Sequence, residues 1–403
     1  MIETLRQIAG ADAARAGEAR DAVHDARPRA VVAPRDASVC AAVLERCSSN
    51  DWTVEIAGAR SARASGRAAP AADVVLSTER MRAVTEYEPD DLTIGIAAGL
   101  TVGELRAHVA AHRQRVPLDP VDARASVGGV LARAAAGAMR RSWATPRRQV
   151  LGLEVVTGDG RVLRAGGRVV KNVAGYDLNK LMVGSMGTLG VITAAHLRLL
   201  PVPQAHATRA ARSDAAAPLV ELARALLAQH AQPAALELTG PPWRLVVLYE
   251  GGRDAVAAAV AGADALGTAA TEDPELDAIA RAEADAAVIV RVGVLPDRIG
   301  GAIEWLERVS AAGTIAAHAG DGIARLILDD EEARALTSAD FTEMVESARA
   351  QLPGSVVVER APATLMRAVD PWGSIDPGLL RLMTGLKRQF DPAGILQRGR
   401  WIV

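Results

Sequence analysis

The stretch Gly184-Ser185-Met186-Gly187-Thr188-Leu189-Gly190 leads into the apolar run 191–199 and decides how this sequence is interpreted. Four of its seven residues are glycine or serine. Because small residues let the backbone turn sharply and leave space above it, a flat aromatic ring system can lie against such a loop. Backbone N–H groups could then bond ring carbonyls, and Thr188 would add a hydroxyl. The stretch therefore predicts a loop that holds a planar cofactor, with a tight turn that binds nothing as the alternative.

Two more glycine-bearing loops follow predicted strands in the first half of the chain. After a strand at 53–57 comes Ala57-Gly58-Ala59-Arg60-Ser61, where backbone N–H groups and the Ser61 hydroxyl could approach a pyrophosphate. Further on, Gly128-Gly129 opens a predicted helix, whose N-terminal N–H groups favour an anion. The alternatives are an ordinary surface loop and a tight helix–strand contact. We call residues 57–61 the first loop, 125–130 the second loop and 184–190 the third loop.

The composition is typical of a globular protein in a reducing compartment. With 403 residues, 50% hydrophobic and 23% charged, the chain can bury a large core, and two or three domains are expected. A formal net charge of -2 gives no reason to expect nucleic acid as the main partner. Cys40 and Cys47 lie about 10 Å apart on a predicted helix, too far for a disulfide, and two cysteines are too few for a structural zinc or iron–sulfur site. We therefore expect no metal.

The sequence pattern carries no signal for a membrane or for export. No stretch of about 18 apolar residues appears, so no membrane span is expected. Residues 1–17 mix charged and apolar positions and predict a short amphipathic helix rather than a signal peptide. We expect a cytoplasmic protein, with peripheral attachment to the inner membrane through partners as a further option.

The order of predicted elements changes at the proline pair Pro201 and Pro203. Before it, short strands alternate with helices, and a hairpin spans 150–164, which favours an α/β architecture. After it, the pattern of strands and helices favours an antiparallel α+β cap that includes one long helix at 331–351. A final helix is predicted at 377–390.

The longest specific string is Gly167-Arg168-Val169-Val170-Lys171-Asn172-Val173-Ala174-Gly175-Tyr176-Asp177-Leu178, followed by Leu181-Met182-Val183-Gly184. Together with the third loop it resembles the vanillyl-alcohol-oxidase type (PCMH-type) of FAD-binding domain. Within that family it is most similar to the FAD-binding subunits (E subunits) of glycolate oxidases. The resemblance covers residues 29–203 and returns at 390–396. The domains expected are an N-terminal helical segment (1–28), a two-lobed PCMH-type FAD-binding domain (29–203), an antiparallel α+β cap (204–375), and a C-terminal helix and tail that pack on the FAD domain (376–403).

The resemblance implies FAD as the cofactor, bound non-covalently because the first loop lacks the histidine that family members with covalent flavin use. The residues expected at the pyrophosphate are Ala57, Gly58, Ala59, Arg60, Ser61, Asp119, Pro120, Ser126, Gly128 and Gly129. The residues expected along the flavin and its ribityl chain are Arg133, Ala134, Ala135, Ala136, Met186, Gly187, Thr188, Leu189, Gly190, Val191 and Ile192.

Departures from the family pattern bear on the chemistry. The first loop lacks the Arg-Gly-x-Gly-Thr form of catalytic members, which favours the E subunit. The tail Leu396-Gln397-Arg398-Gly399-Arg400 stands where relatives have Leu-Asn-Pro-Gly-Arg. In the string His318-Ala319-Gly320-Asp321-Gly322-Ile323-Ala324-Arg325, an arginine replaces the second histidine of the related catalytic subunit. A guanidinium can serve neither as a base nor as a metal ligand, so we expect the substrate-oxidising apparatus to be incomplete.

The catalytic residues are therefore unknown, and three residues are candidates. His318 is the one visible base, although a simple turn residue is the alternative. Arg140 and Arg141 could bind a hydroxy-acid carboxylate, whereas a solvated basic loop or a subunit contact is the alternative.

Three functions are compatible with this sequence. The favoured one is the FAD-binding subunit of a glycolate (2-hydroxy-acid) oxidase complex, working beside a catalytic flavoprotein subunit and an iron–sulfur subunit. The second is a self-sufficient FAD-dependent D-lactate or glycolate dehydrogenase. The third is a non-catalytic scaffold that has lost FAD.

Overall fold

A computed structural model describes residues 1–22, 27–61, 65–120, 122–167, 176–271, 276–310 and 312–402. Residues 168–175, which belong to the string that carries the family resemblance, lie outside the described residues. The chain divides into two units. The first unit comprises Met1–Ala136, Thr145–Val202 and Ile375–Val403, and the second comprises Gly137–Ala144 and Pro203–Ser374.

One lobe of the first unit is a small mixed sheet with two helices. Its elements are α1 (Ile2–Ala9), β1 (Ala14–Ala16), β2 (Ala30–Val32), α2 (Ala37–Ser49), β3 (Val54–Ala57) and β4 (Val74–Ser77). The strand order is β1-β2-β4-β3, and both β2 and β3 run parallel to β4. Helix α2 begins where the Asp36 side chain accepts a hydrogen bond from the N–H of Val39, and it links β2 to β3 as parallel strands require. The predicted α/β character of this region is confirmed.

The N-terminal helix is shorter than predicted. Helix α1 ends at Ala9, where Gly10 with φ 107° stops it. Residues 14–16 then form β1, which pairs antiparallel with β2. The prediction of one helix over residues 1–17 is therefore wrong beyond Ala9.

The other lobe of the first unit is an antiparallel sheet. Its elements are β5 (Val84–Glu88), β6 (Thr93–Ala97), α3 (Val102–Ala110), α4 (Val127–Arg133), β8 (Val150–Val156), β9 (Val162–Gly166), α6 (Leu178–Met182) and β10 (Val191–Arg198), and a separate two-stranded pair joins β7 (Gln114–Arg115) to β11 (Leu200–Pro201). The strand order is β5-β6-β10-β8-β9. The predicted hairpin of β8 and β9 is present, and Gly160 with φ 83° makes its turn.

The second unit is built on an eight-stranded antiparallel sheet, as predicted for the cap. Its elements are α5 (Arg140–Trp143), β12 (Ala205–Ser213), α7 (Ala216–Leu227), β13 (Ala235–Gly240), β14 (Trp243–Gly251), α8 (Arg253–Ala265), β15 (Ala269–Ala270), α9 (Asp277–Asp285), β16 (Val288–Gly293), α10 (Ile299–Val309), β17 (Thr314–His318), β18 (Ile323–Leu328), α11 (Asp330–Ala335), α12 (Ser338–Gln351), β19 (Ser355–Arg360) and α13 (Ala363–Met366). The strand order is β15-β12-β14-β13-β17-β18-β16-β19. The segment 137–144 belongs here because Met139 packs with Ala234, Ala235 and Leu248.

The long helix predicted at 331–351 is two helices. Helix α11 ends at Ala335, and Thr337 starts α12 by accepting a hydrogen bond from the N–H of Asp340. The Asp340 carboxylate in turn accepts from the N–H of Thr337, which completes a capping box. This reciprocal cap explains why a new helix begins here and the predicted helix is interrupted.

Helix α14 (Pro377–Phe390) returns the chain to the first unit. Asp376 caps its start, and only Phe390 among its residues is buried. Short 3-10 helices cover Ala19–Asp21, Pro146–Arg148 and Pro296–Arg298. Over the part of the chain that the structure describes, no helix has the length and apolar character needed to cross a bilayer.

Candidate functional site

The first and second loops meet at the Ser126 hydroxyl. Strand β3 ends at Ala57, and the chain then passes Ser126, which caps α4. The Ser126 Oγ accepts hydrogen bonds from the N–H of Ala59 at 3.4 Å and from the N–H of Gly129 at 3.3 Å. A Cβ on Gly58 would lie 1.9 Å from that oxygen, so only glycine permits this approach.

The third loop joins the same region through the far end of α4. The N–H of Gly184 donates to the carbonyl of Leu131 at 3.0 Å, and the N–H of Met186 donates to the carbonyl of Ala132 at 2.8 Å. Because α4 begins at the second loop and ends just beyond these carbonyls, the helix ties the two loops together. The structure thus brings the three predicted loops into one region of the first unit.

The third loop has a conformation that needs its small residues. Gly184, Met186 and Gly187 all have positive φ, at 89°, 56° and 75°. A Cβ on Gly190 would lie 2.6 Å from Val155 Cγ1, so this glycine allows the close approach of the loop to β8. The Thr188 hydroxyl, expected to face the cofactor, donates to the carbonyl of Ser185 at 2.8 Å and therefore stabilises the turn itself.

The first loop offers backbone donors that fit the pyrophosphate of FAD. Among the described residues, the N–H groups of Gly58, Arg60 and Ser61 donate to no protein atom. Donors at a glycine-bearing strand end form the kind of nest that binds phosphate oxygens. These donors make the first unit chemically suited to FAD.

The second loop contributes differently from the first. The N–H of Gly128 donates to the carbonyl of Ala98, and the N–H of Gly129 donates to Ser126. A Cβ on Gly128 would lie 2.8 Å from the Ala98 Cβ. Gly128 therefore makes a tight contact with the chain after β6, whereas Gly129 contacts Ser126.

The remaining residues predicted at the cofactor lie around these loops. Exposed or partly exposed at the end of α4 are Arg133, Ala134, Ala135 and Ala136. Buried are Leu189 in the third loop, and Val191 and Ile192, which begin β10. Asp119 accepts a hydrogen bond from Arg106 at 3.4 Å, and its neighbour Pro120 is buried.

Sequence reasoning missed Asp21, which anchors the first loop. Asp21 is fully buried and pairs with Arg15 and Arg60, each at 2.6 Å. The hydrogen bond from Arg15, supported by that from Arg60, keeps the pKa of Asp21 well below its usual range although burial opposes this shift. No motif marks Asp21, because it lies 39 residues before Arg60 in the chain.

A buried histidine stands at the centre of the second unit's charged groups. His318 is 2% exposed; its Nδ1 lies 2.8 Å from a Glu237 carboxylate oxygen and its Nε2 lies 2.9 Å from Arg325 Nη1. Because a guanidinium can only donate, Nε2 must accept, and the neutral imidazole carries its proton on Nδ1. Both ring nitrogens are occupied, so His318 has no free nitrogen with which to take a proton from a substrate.

Arg325 is held by one buried and one partly buried carboxylate. Its Nε donates to Glu359 at 2.9 Å, and its Nη1 lies 3.3 Å from Glu283. Burial opposes the charge on Arg325, but the carboxylates of Glu359 and Glu283 raise its pKa above the usual value. Burial raises the pKa of Glu283 in turn. The arginine that replaces an imidazole in this string therefore neutralises the buried Glu283 and shares the partly buried Glu359 with Arg291.

The two candidate arginines at 140–141 differ in their contacts. Arg141 donates to the Gln232 side chain at 2.8 Å and to the carbonyl of Gly320 at 3.3 Å. The guanidinium of Arg140 makes no hydrogen bond with the described residues, and its ion pair with Asp321 is long, at 3.6 Å. Burial lowers the pKa of Arg140, while Asp321 opposes this shift. Arg140 therefore has the open guanidinium donors, as carboxylate binding requires.

We predict that acid destabilises the second unit through His318. Burial, with Arg325 and Arg140 adding to it, lowers the pKa of His318 from 6.5 to about 3. As the pH falls below 6.5, the unfolded chain takes up a proton that the folded chain refuses. The free energy of unfolding should therefore fall by about 2 kcal/mol between pH 7 and pH 5, measured by urea denaturation and tryptophan fluorescence. His318→Gln should remove most of this pH dependence; an unchanged slope in that variant would assign it to other groups.

Comparisons with known proteins define the class of the first unit. Residues 28–166, which contain the first two loops, match the model of a family described as FAD binding domain. The solved structure of p-cresol methylhydroxylase with bound substrate has a TM-score of 0.78 at 17% identity, covering 99% of this chain and 95% of that one. The solved structure of 4-ethylphenol oxidase from Gulosibacter chungangensis has a TM-score of 0.77 at 15% identity, covering 99% of this chain and 96% of that one. The predicted PCMH-type FAD-binding fold is confirmed, and FAD is the cofactor.

Curated relatives match a shorter part of the chain. Glycolate oxidase subunit GlcD of Bacillus subtilis (strain 168) is 32% identical over 228 residues, which is 56% of this chain and 48% of the relative. Glycolate oxidase subunit GlcE of Escherichia coli (strain K12) is 37% identical over 177 residues, or 42% and 50%. D-lactate dehydrogenase of Archaeoglobus fulgidus is 36% identical over 171 residues, or 42% and 38%. The matches span half or less of the length of these relatives.

Proposed function

We propose that this chain is the FAD-binding subunit of a glycolate (2-hydroxy-acid) oxidase complex, an oxidoreductase that exchanges electrons with partner subunits. The proposal rests on the hydrogen bonds of His318. Its two ring nitrogens are bonded to Glu237 and Arg325, so neither is free to take a proton from a substrate. The chain thus combines three loops suited to FAD with a cap whose one candidate base is blocked. Bound FAD would supply the redox chemistry, while this chain's residues hold and orient it.

The proposed mode of binding is non-covalent. The first loop would hold the pyrophosphate through the N–H groups of Gly58, Arg60 and Ser61. Arg60 itself is fixed by Asp21, since its Nη1 lies 2.6 Å from Asp21 Oδ1. None of the side chains from Ala57 to Ser61 is a histidine, the residue that holds covalent flavin in this family.

A partner is also part of the proposal, because this chain cannot ligate an iron–sulfur cluster. Both cysteines are free and buried. Burial raises the pKa of Cys40, and it raises the pKa of Cys47 to about 12, so neither is available as a thiolate ligand. The iron–sulfur centre would therefore come from a separate subunit, beside a catalytic flavoprotein subunit.

An exposed row of leucines on α14 supports a docking surface for such a partner. Leu379, Leu382 and Leu386 are 50%, 68% and 39% exposed and share one face of the helix. The helix carries Arg381, Lys387 and Arg388 and no acidic residue. A partner helix with an apolar stripe and acidic flanks would match this surface, whereas a second copy of α14 would bring like charges together.

The second candidate function is a self-sufficient 2-hydroxy-acid dehydrogenase. Arg140 favours it, because a partly buried guanidinium with open donors suits the carboxylate of a small hydroxy acid. It would also need a base, which the neutral and doubly bonded His318 does not provide in this arrangement.

The purified chain should separate these functions. We expect a yellow protein whose flavin absorbance is unchanged by anaerobic glycolate or D-lactate but is bleached by dithionite. The control for Arg140→Leu is Arg148→Leu, which changes an exposed arginine. If either acid bleaches the flavin of the wild type and of Arg148→Leu but not that of Arg140→Leu, the subunit role is overturned in favour of the self-sufficient enzyme. A colourless chain that does not bind added FAD would favour the scaffold.

A further inference from the structure

We propose that Gln397, in the tail after α14, is a cofactor-positioning residue: its amide nitrogen fixes the third loop and its carbonyl oxygen accepts a hydrogen bond from bound FAD. The proposal deepens the proposed function and rests on it, since it names a further residue for the same FAD site. It assigns a role in cofactor binding to a segment far from the third loop in sequence, since Gln397 and Met186 are 211 residues apart.

The tail is bonded directly to the third loop at two places. The Nε2 of Gln397 donates to the carbonyl of Met186 at 3.2 Å. The Nζ of Lys387 donates to the carbonyl of Thr188 at 2.8 Å and to the carbonyl of Leu396 at 2.8 Å. Because Met186 and Thr188 flank Gly187, the tail holds the loop on both sides of this buried glycine with positive φ.

The same tail is bonded to the strand that leads to the first loop. The N–H of Val54 donates to the carbonyl of Ile395 at 2.8 Å, and the N–H of Gln397 donates to the carbonyl of Val54 at 2.8 Å. Val54 begins β3, whose last residue is Ala57. Gln397 therefore lies where the segments that lead to the first and third loops come together.

The orientation of the Gln397 amide is fixed by its partner. A backbone carbonyl such as that of Met186 can only accept, so the amide nitrogen must face it and Oε1 must face the other way. This oxygen is buried, and no hydrogen-bond donor among the described residues reaches it. Leaving a buried carbonyl without a donor is costly, and Gln397 also has φ 50°, which a non-glycine residue seldom adopts.

Bound FAD can supply the hydrogen-bond donor that Gln397 Oε1 lacks. An unmet acceptor needs an O–H or N–H donor, and FAD carries both, in its ribityl and ribose hydroxyls and in the N–H groups of its rings. Position supports the assignment, since a Cβ on Gly187 would lie 3.5 Å from the Gln397 amide nitrogen. A buried unsatisfied group in a left-handed conformation is typical of a site completed by a ligand.

The test compares Gln397→Leu with Gln389→Leu, the same change at an exposed glutamine of α14. For Gln397→Leu we expect the Kd for FAD, measured by quenching of flavin fluorescence, to rise on the order of tenfold and the visible flavin bands to shift. The melting temperature of the FAD-free chain should fall by no more than about 4 °C, because the only bond lost without FAD is the one to the carbonyl of Met186. An unchanged Kd and spectrum would overturn the proposal, and so would a much larger fall in the FAD-free melting temperature, which would assign the lost affinity to a damaged fold.

A second variant guards against failure of the first to fold. Gln397→Glu keeps an oxygen for FAD but sets a carboxylate against the carbonyl of Met186 until the side chain is protonated. Its Kd for FAD should therefore improve as the pH falls from 8 to 6, whereas a Kd that does not respond to pH would contradict the positioning role. If the wild-type chain binds no FAD, the proposed function fails; if it binds FAD and both variants behave like it, only this inference fails.

Discussion

Arg325→Met should lower the free energy of unfolding of the second unit by about 3–5 kcal/mol, because it leaves the buried carboxylate of Glu283 without its cation. Glu283 and Glu359 both contact the guanidinium, and His318 loses the donor to its Nε2. Methionine fills much of the same volume, so the loss measures the missing charge rather than a cavity. Urea denaturation followed by the fluorescence of the buried tryptophans Trp243 and Trp305 gives the value.

The matched control is Arg334→Met, which removes a guanidinium from an exposed pair. Arg334 and Asp330 lie 3.7 Å apart, and both side chains are 78% exposed. Such a pair should contribute no more than about 0.5 kcal/mol. A loss below about 1 kcal/mol in Arg325→Met, or equal losses in the two variants, would contradict the role of Arg325 as the cation that neutralises Glu283.

Gly58→Ala should raise the Kd for FAD on the order of 100-fold, because the added methyl group displaces the Ser126 hydroxyl. The new Cβ would lie 1.9 Å from Ser126 Oγ, so the hydroxyl must leave the N–H groups of Ala59 and Gly129. Losing two hydrogen bonds and the contact between the first two loops accounts for this magnitude. Titration of the FAD-free chain with FAD measures it.

Gly301→Ala is the corresponding control in the second unit. A Cβ on Gly301 meets no atom within 4 Å, and the residue lies inside α10. This variant should bind FAD like the wild type and gain about 0.5–1 kcal/mol in stability, since alanine favours a helix interior. If Gly58→Ala retains the wild-type affinity for FAD, the first loop does not form part of the cofactor site.

The features that sequence could predict are those set by local chemistry. Gly58 directly follows a strand, and the third loop is rich in glycine. Glycine at such positions has few uses other than a sharp turn or a close approach, so the sequence predicts both loops at the positions where the structure has them. The hairpin around Gly160 follows from strand periodicity and turn residues in the same short segment. Such signals lie within a few residues of one another.

The features that sequence could not predict depend on residues far apart in the chain. Strand β1 forms because it pairs with β2, and β12 carries charged residues such as Arg209 that hide its strand character. Which ring nitrogen of His318 carries the proton follows only from its contacts, with Glu237 at Nδ1 and Arg325 at Nε2. The contact of Gln397 with Met186 likewise spans just over half of the chain.

The burial of both cysteines makes this chain convenient for site-specific labelling. Cys40 and Cys47 are fully inaccessible, and their raised pKa values keep them protonated and unreactive toward maleimides near neutral pH. Tyr176 is 96% exposed, so Tyr176→Cys would introduce a single reactive thiol. A dye attached there could report FAD uptake and subunit encounter by energy transfer, with no need to remove a native cysteine.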